Sequence, residues 1–262
     1  MTESIFLGVV QGLTEFLPVS SDGHLTLAQT LFDVAHASLA LDVALHAGTL
    51  LAMIVFFRKD ILRIIIGVLS KEATPERAEE RKRAVFVIVA TVFTAIVGFS
   101  LKAYVEASVA SFGPVAFGFL VTAAFLAGGE WKLLKGGPGR PLRSIPLWHL
   151  IVLGLVQGAA VWPGWSRSGS TIAVALLLGW KWEEAGRFSF VIAIPATFGA
   201  LLLLSGDIAE IDPTQAIAGA TTAFFVGLLS LWLLMRFLAA KKLWPFALYT
   251  FALGIFALSQ VF

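Results

Sequence analysis

Long apolar stretches alternate with short polar ones along most of the chain. A helix needs roughly 17–25 predominantly apolar residues to cross a bilayer, and six stretches come within that length. They are 39–57, 84–101, 110–129, 188–205, 215–235 and 244–261. Asp42 is the one Asp, Glu, Lys or Arg that any of them contains. The pattern therefore predicts six transmembrane helices.

Two further apolar regions, 4–32 and 145–180, are interrupted in the middle by polar residues. The interruptions are 15–24 in the first region and 163–171 in the second. The apolar arms on either side are too short to cross a bilayer, which is typical of re-entrant hairpins. Irregular backbone is tolerated at membrane depth only where protein or a water-filled cavity surrounds it.

The two interrupted regions resemble each other. GVVQG at 8–12 matches GLVQG at 154–158, and a proline and a serine-rich turn follow in both cases. Three predicted spans come after each hairpin, so the second half must lie inverted relative to the first. We therefore expect one all-α polytopic membrane domain with six transmembrane helices plus two re-entrant helical hairpins. Its inverted-repeat halves would cover about 1–135 and 145–262.

Composition supports a lipid environment and excludes several classes of protein. Hydrophobic residues make up 58% of the chain and charged residues 14%, against about 45–50% and about 25% in soluble domains. An ordinary soluble enzyme is excluded, and a net charge of +2 gives no sign of a nucleic-acid partner. Because the chain has no cysteine, disulfides and thiolate metal sites are also excluded.

The basic residues predict the orientation in the membrane. If the 58–83 loop lies inside, every Lys and Arg except Lys102 and Arg167 also lies inside, as the positive-inside rule requires. The outer loop between the fourth and fifth spans is then acidic, with Asp207, Glu210 and Asp212. We expect a multi-pass membrane protein with both termini outside and a cytoplasmic 58–83 loop.

Arg167 is the one basic residue predicted at membrane depth, where a charge costs at least about 2.5–3.5 kcal/mol. Such a residue needs a partner or a ligand. Its turn supplies hydroxyl groups for anion binding and glycines that allow close backbone approach. The predicted phosphate cradle consists of Gly164, Ser166, Arg167, Ser168 and Thr171.

The first hairpin carries the other candidate groups. Gln11 and Glu15 are four residues apart and share one face of a helix. Glu15 is predicted to bind a metal or transfer protons, although a purely structural pair with Arg167 is the alternative. Ser20 and Ser21 are typical of a helix start, where free N–H groups can bind phosphate. His24 follows Ser21 by three residues, so both can face one site.

These motifs carry a resemblance to a known family. GVVQGLTEFLPVSSDGH at 8–24 and PGWSRSGST at 163–171 resemble the two signatures of the bacterial undecaprenyl-diphosphate phosphatases. The resemblance implies hydrolysis of undecaprenyl diphosphate to undecaprenyl phosphate and phosphate, recycling of the lipid carrier of peptidoglycan synthesis, and bacitracin resistance. It also implies a divalent cation, Mg²⁺ or Ca²⁺. Gln11 stands where the family has either Glu or Gln, which weakens a ligand set of two carboxylates.

The mechanistic hypothesis combines both turns. The cradle of Arg167, with Ser20 assisting, binds the diphosphate, and Glu15 with Gln11 holds the metal. Ser21 attacks the terminal phosphorus, and either His24 or Glu15 acts as base. His24 as nucleophile and direct attack by water remain alternatives.

A transporter or flippase for an anionic prenyl-phosphate lipid is the competing function, because broken helices and inverted repeats are typical of transporters too. Binding alone does not require Glu15, Ser21 and His24 near Arg167, so this cluster favours catalysis. A purely structural protein would not bury an arginine. The expected partners are the prenyl diphosphate and the bilayer, with a homodimer as one option for the oligomeric state.

Overall fold

A computed structural model describes residues 1–31, 39–108, 112–204 and 212–261. These residues form α-helices and one 3₁₀ turn at Leu142–Ser144, with no strand among them. Asp207 and Glu210 of the predicted acidic loop lie outside the described residues. The helices are α1 Thr2–Thr14, α2 Ser21–Leu31, α3 Leu39–Phe56, α4 Arg58–Leu69, α5 Pro75–Ser108, α6 Phe112–Leu134, α7 Trp148–Ala159, α8 Arg167–Leu177, α9 Trp182–Leu204, α10 Pro213–Ala239 and α11 Trp244–Ser259.

Five of the described helices are long and apolar enough to cross a membrane: α3, α5, α6, α9 and α10. In α5 only 11% of the most apolar window is buried within the protein, so this surface needs lipid to cover it. These five helices confirm an all-α, multi-pass membrane protein. The sixth predicted span corresponds to α11, an apolar helix of 16 residues, and stays a prediction.

The 58–83 segment differs from the predicted loop. It is mostly helical, because α4 begins at Arg58 and α5 begins at Pro75, well before the apolar stretch. Charged residues continue α5 beyond the apolar region, and Arg83 pairs with Glu79 one turn earlier at 3.1 Å. Such pairs four residues apart support a helix without any apolar face. Hydropathy therefore located the span but not the end of its helix.

Glycines bring the hairpin helices close to their neighbours. A Cβ atom on Gly12 of α1 would lie 2.9 Å from the carbonyl oxygen of Ala223 in α10. A Cβ atom on Gly158 of α7 would lie 2.7 Å from the carbonyl oxygen of Thr94 in α5. Both glycines thus allow direct helix contact, as expected of small residues at membrane helix interfaces. The division into repeat halves at 1–135 and 145–262 stays a prediction.

Gln11 and Gln157 occupy matching positions in the GVVQG and GLVQG motifs but have different surroundings. Gln157 donates to the hydroxyl of Thr94 at 2.9 Å and to the carbonyl oxygen of Ile192 at 3.3 Å. Gln11 instead donates to the carboxylate of Glu15 at 3.2 Å. The first motif therefore leads into the polar cluster, whereas the second joins α7 to α5 and α9.

Candidate active site

The turn between α1 and α2 contacts the turn between α7 and α8. A Cβ atom on Gly23 would lie 2.9 Å from the Cα atom of Gly164, and one on Gly169 would lie 3.1 Å from Cβ of Pro18. Such approaches leave no room for larger residues at either glycine. Packing therefore joins the polar turns 15–24 and 163–171.

Glu15 is the centre of this polar cluster. It follows the last residue of α1, and its side chain is 4% exposed. Its Oε1 atom accepts a hydrogen bond from Nη2 of Arg167. Its Oε2 atom accepts hydrogen bonds from Oγ of Ser21 at 2.7 Å and from Nε2 of Gln11 at 3.2 Å. The ion pair raised as a structural alternative is present, and the same carboxylate also holds a hydroxyl.

Arg167 contacts two helices besides its own. While Nη2 pairs with Glu15, Nη1 donates a hydrogen bond to Oγ1 of Thr197 in α9. Thr197 is itself buried, so the guanidinium is held from both sides. Thr197 was not predicted, because it is one of several hydroxyl side chains in its apolar span and its place close after Pro195 is its only local signal.

The turn before α8 is fixed by α6. Ser166 caps α8 by accepting the N–H of Gly169 at 3.0 Å. The N–H of Ser166 in turn donates to the hydroxyl of Thr122 at 2.8 Å, and that hydroxyl donates to the carbonyl oxygen of Gly164 at 3.0 Å. Gly164 has a φ of +81°, and a Cβ atom there would lie 2.2 Å from the carbonyl oxygen of Val115. Gly164 is therefore needed for packing as well as for the turn.

The remaining hydroxyls of the predicted phosphate cradle differ in their partners. Oγ of Ser168 lies 3.3 Å from Oγ of Ser166, at the first turn of α8. Thr171 is fully buried, and its hydroxyl donates to the carbonyl oxygen of Arg167 at 2.8 Å. The structure thus engages Thr171 within its own helix. Ser20 has a φ of 71° and accepts the N–H of Gly23 at 3.4 Å.

Two helix N-termini open onto the cluster. α2 begins at Ser21 and α8 begins at Arg167, and both of these residues contact Glu15. The first N–H groups of a helix have no partner within the helix, and the N-terminal end carries a partial positive charge. Two such ends and one guanidinium make this an environment for anions such as phosphate.

His24 points toward α11 instead of toward Ser21. Its Nδ1 atom lies 2.7 Å from the carbonyl oxygen of Ser20, and its Nε2 atom lies 2.8 Å from the hydroxyl of Tyr249. The rings of His24 and Tyr249 are stacked, with centroids 5.6 Å apart. Both ring nitrogens are therefore engaged away from Ser21. Tyr249 was also missed, since only the packing of α2 near α11 reveals it.

His46 of α3 adjoins the cluster on another side. Its Nε2 atom lies 3.9 Å from Oε2 of Glu15 and 3.7 Å from Oδ1 of Asp22. Its Nδ1 atom lies 2.9 Å from the carbonyl oxygen of Asp42. His46 therefore lies between the carboxylates of the first hairpin and belongs to the surroundings of Glu15.

The side-chain oxygen atoms of Gln11 and Glu15 suit a hard cation that takes most of its ligands from water and substrate. Oε1 of Gln11 is buried and has no hydrogen-bond partner among the described residues. In the part of the chain that the structure describes, no group of three or more His, Cys, Asp or Glu side chains could hold a metal ion. Mg²⁺ is commonly bound by one or two protein oxygens together with water and substrate phosphates. Gln11 and Glu15 fit that pattern.

Comparison with known proteins identifies the family of the chain. The family model described as bacitracin resistance protein BacA matches residues 4–256. The chain is 40% identical to the undecaprenyl-diphosphatase of Syntrophotalea carbinolica, with 98% of each chain covered. It is 38% identical to the undecaprenyl-diphosphatase of Korarchaeum cryptofilum, with 99% of this chain and 98% of the other covered. It is 36% identical to undecaprenyl-diphosphatase 2 of Halalkalibacterium halodurans, with 97% and 94% covered.

Proposed function

The chain belongs to the bacitracin resistance protein BacA family, and we propose that it hydrolyses undecaprenyl diphosphate to undecaprenyl phosphate and inorganic phosphate. This reaction recycles the lipid carrier of peptidoglycan synthesis. Relatives named undecaprenyl-diphosphatase cover almost the whole chain, which favours this hydrolase over a flippase or transporter.

One observation carries the proposal on the reacting groups. Glu15 binds a guanidinium on one carboxylate oxygen and a serine hydroxyl on the other. Glu15 thereby brings together a guanidinium that can bind phosphate and a hydroxyl that can act as nucleophile, and the carboxylate itself can serve as the base. That is the arrangement that nucleophilic catalysis needs. A binding site alone has no use for Ser21 against a buried carboxylate.

The first step of the mechanism is attack by Ser21. Arg167 binds oxygens of the diphosphate with both of its terminal nitrogens, which suits the planar fork of a guanidinium. Its contact with Glu15 is given up in favour of the phosphate, so the carboxylate can take the proton of Ser21. Oγ of Ser21 then bonds to the terminal phosphorus as the bridging P–O bond breaks. Undecaprenyl phosphate leaves.

The second step releases phosphate. Water attacks the phosphorus of phosphorylated Ser21, and its proton passes to a phosphoryl oxygen of the departing phosphate. The P–O bond to Oγ breaks as Glu15 returns to Oγ the proton that it took in the first step. The N–H groups at the starts of α2 and α8, with Arg167, Ser166 and Ser168, stabilise the charge on the phosphoryl oxygens. His24, bonded to Ser20 and Tyr249, positions the backbone before Ser21 and is not the base.

Gln11 and Glu15 would hold a divalent cation, Mg²⁺ or Ca²⁺, through Oε1 of Gln11 and a carboxylate oxygen of Glu15. When bound, the cation neutralises charge on the diphosphate oxygens. An amide in place of a second carboxylate leaves Glu15 as the one negative ligand. Cation affinity in the absence of substrate is therefore expected to be weak.

The proposed topology has α11 as the sixth crossing and the pairs α1–α2 and α7–α8 as re-entrant hairpins. Both termini then lie outside, and α4 with the start of α5 lies on the cytoplasmic side, in agreement with the positive-inside rule. Each hairpin arm is 11 to 13 residues long. At about 1.5 Å per residue, such arms reach only about halfway across a bilayer of about 40 Å including headgroups. A homodimer stays a prediction.

The activity is tested with purified protein and a prenyl diphosphate in detergent. We expect release of inorganic phosphate in the presence of Mg²⁺ or Ca²⁺, and loss of release when a chelator removes the cation. Isotopic water should deliver one ¹⁸O to the phosphate. Transport of prenyl phosphate across vesicles without any phosphate release would contradict the proposal and favour the flippase.

Thr197 offers a test of how the guanidinium is positioned. Thr197→Val removes the hydroxyl that accepts from Nη1 of Arg167 and keeps the shape of the side chain. Hydrogen bonds to charged groups contribute about 1.5–3 kcal/mol, so kcat/KM is expected to fall about 10- to 100-fold. Thr250→Val is the matched control, because that hydroxyl donates to carbonyl oxygens of its own helix. Equal turnover of both variants would contradict a role for Thr197.

A further inference from the structure

A groove at the opposite end of α8 from Arg167 has no part in the proposed chemistry. Its volume is about 580 Å³, and it lies between the end of α6, the end of α8, the start of α9 and the end of α10. In the proposed topology all of these ends face the cytoplasm. The charged residues of its lining are four basic ones and one acidic one: Lys132, Arg140, Lys181, Lys241 and Glu183.

Within the described residues, these four basic residues have no ion-pair partner, unlike Arg83 and Arg187 on the same face. Arg187 pairs with Asp60 at 2.6 Å, and Arg83 pairs with Glu79 at 3.1 Å. Within the described part of the chain, by contrast, none of Lys132, Arg140, Lys181 and Lys241 lies within ion-pair distance of a carboxylate. The groove therefore collects positive charge that the protein itself does not neutralise.

The walls of the groove are joined by specific contacts. The N–H of Arg140 donates to the carbonyl oxygen of Gly179 at 2.8 Å, and the N–H of Lys181 donates to the carbonyl oxygen of Arg140 at 3.0 Å. Gly139 has a φ of +65°, and a Cβ atom there would lie 2.8 Å from Cα of Lys181. Backbone hydrogen bonds thus hold the segments of Arg140 and Lys181 together, although both residues are positively charged.

Lys241 adopts a backbone conformation that glycine favours. Its φ is +55°, and its N–H donates to the carbonyl oxygen of Leu238 at 2.9 Å as α10 ends. Side chains other than glycine adopt this region at a cost, and such strain is concentrated at functional positions. This position ends α10, where glycine is the usual residue, and the chain instead carries a lysine that lines the groove.

We propose that the groove binds the phosphate headgroup of an anionic phospholipid from the cytoplasmic leaflet. Basic pockets between membrane helices on that side are suited to such headgroups. Leu177 at 40% exposure lines the groove, and Leu134 at 73% exposure lies beside it, so an acyl chain can continue along apolar surface. Trp182 also lines the groove, and tryptophan favours the headgroup level of a membrane.

The test measures lipid binding by native mass spectrometry of the full-length protein in a neutral detergent. Phosphatidylglycerol should bind, and phosphatidylcholine should not bind at the same concentration. The triple variant Lys132→Gln/Lys181→Gln/Lys241→Gln should bind phosphatidylglycerol at least about 10-fold more weakly. The control triple Lys59→Gln/Arg63→Gln/Lys71→Gln loses the same charge elsewhere on this face and should keep the affinity of the parent protein. Equal losses in the two triples would overturn the proposal.

Two further binding measurements distinguish an anionic phospholipid from other anions as the ligand of the groove. Inorganic phosphate at millimolar concentration should not displace phosphatidylglycerol, whereas full displacement would overturn the lipid assignment. A prenyl monophosphate should bind the triple variant of Lys132, Lys181 and Lys241 with the same affinity as the parent protein, because its proposed site is at Arg167. A groove-dependent loss of prenyl monophosphate binding would equally overturn the proposal.

A single variant tests whether Lys241 is retained for its charge. Lys241→Gly should raise Tm by about 2–4 °C, because glycine adopts a positive φ without strain. The same variant should bind phosphatidylglycerol several-fold more weakly. A higher Tm with unchanged lipid affinity would show that the lysine does not serve lipid binding.

Discussion

Arg167→Gln is expected to lower kcat/KM by about 10³-fold or more. The guanidinium pairs with Glu15 and bonds Thr197, so its loss removes the phosphate ligand and also leaves a buried carboxylate without its cation. Removing one stabilising donor for developing charge typically costs 10²–10³-fold, and breaking a buried ion pair from one side costs about 3–5 kcal/mol. Phosphate release from a prenyl diphosphate at saturating Mg²⁺ measures the loss.

Two controls separate chemistry from folding in this experiment. Arg187→Gln breaks another arginine–carboxylate pair, with Asp60, far along α9 from Thr197, and should keep most of the activity. The double variant Glu15→Gln/Arg167→Gln removes both charges of the site pair. It should recover the Tm that Arg167→Gln loses and remain inactive. Recovery of activity together with Tm would make the arginine a structural residue and contradict its proposed role.

Hydropathy along the chain was sufficient to locate the five described helices that are long and apolar enough to cross a membrane. The apolar stretch 39–57 corresponds to α3 at Leu39–Phe56, and the limits of helix and stretch agree to within one residue. In contrast, α5 begins at Pro75, nine residues before its apolar stretch. A helix continues as long as its backbone hydrogen bonds and charge pairs support it, whether or not lipid surrounds it. Helix limits in water are therefore not encoded in the hydropathy.

The candidate site was predictable where its residues share a local motif. Glu15 and Ser21 stand together in one turn, and a lone arginine among hydroxyls drew attention to Arg167 because a charge in the membrane is costly. Thr197 and Tyr249 had no such signal. Each shares its apolar helix with other hydroxyl side chains, and its role depends on how α9 and α11 pack near the two turns.

The two candidate bases for Ser21, His24 and Glu15, have different hydrogen-bond partners in the structure. Ser21 and His24 are three residues apart and therefore close on the helix surface. Yet the ring of His24 bonds Ser20 and Tyr249, while the hydroxyl of Ser21 donates to Glu15 at 2.7 Å. A base must lie within hydrogen-bond reach of the proton that it takes. Glu15 meets that requirement, so Ser21 should depend on Glu15 more than on His24.

Ser21→Ala is accordingly expected to abolish turnover, with kcat lower by on the order of 10⁴-fold or more, as is typical when a nucleophile is removed. Binding should persist, because Arg167 and the starts of α2 and α8 remain. Ser230→Ala is the matched control, a buried serine of α10 without a hydrogen-bond partner, and should turn over normally. His24→Ala should lose less than Ser21→Ala, about 10- to 100-fold, since it loosens the backbone before the nucleophile.

Trapping the phosphorylated intermediate would identify the nucleophile directly. Acid quenching of the parent protein during turnover should leave a phosphoryl group on Ser21, detected by mass spectrometry of its peptide, and Ser21→Ala should show none. If water attacked directly, Ser21→Ala would lose only a hydrogen bond to Glu15, about 10-fold in rate, and no phosphopeptide would form. If His24 were the nucleophile, the phosphoryl group would be acid-labile and His24→Ala would be the inactive variant. The bond from Ser21 to Glu15 favours the serine over both, because it prepares an oxygen nucleophile and its base before any substrate arrives.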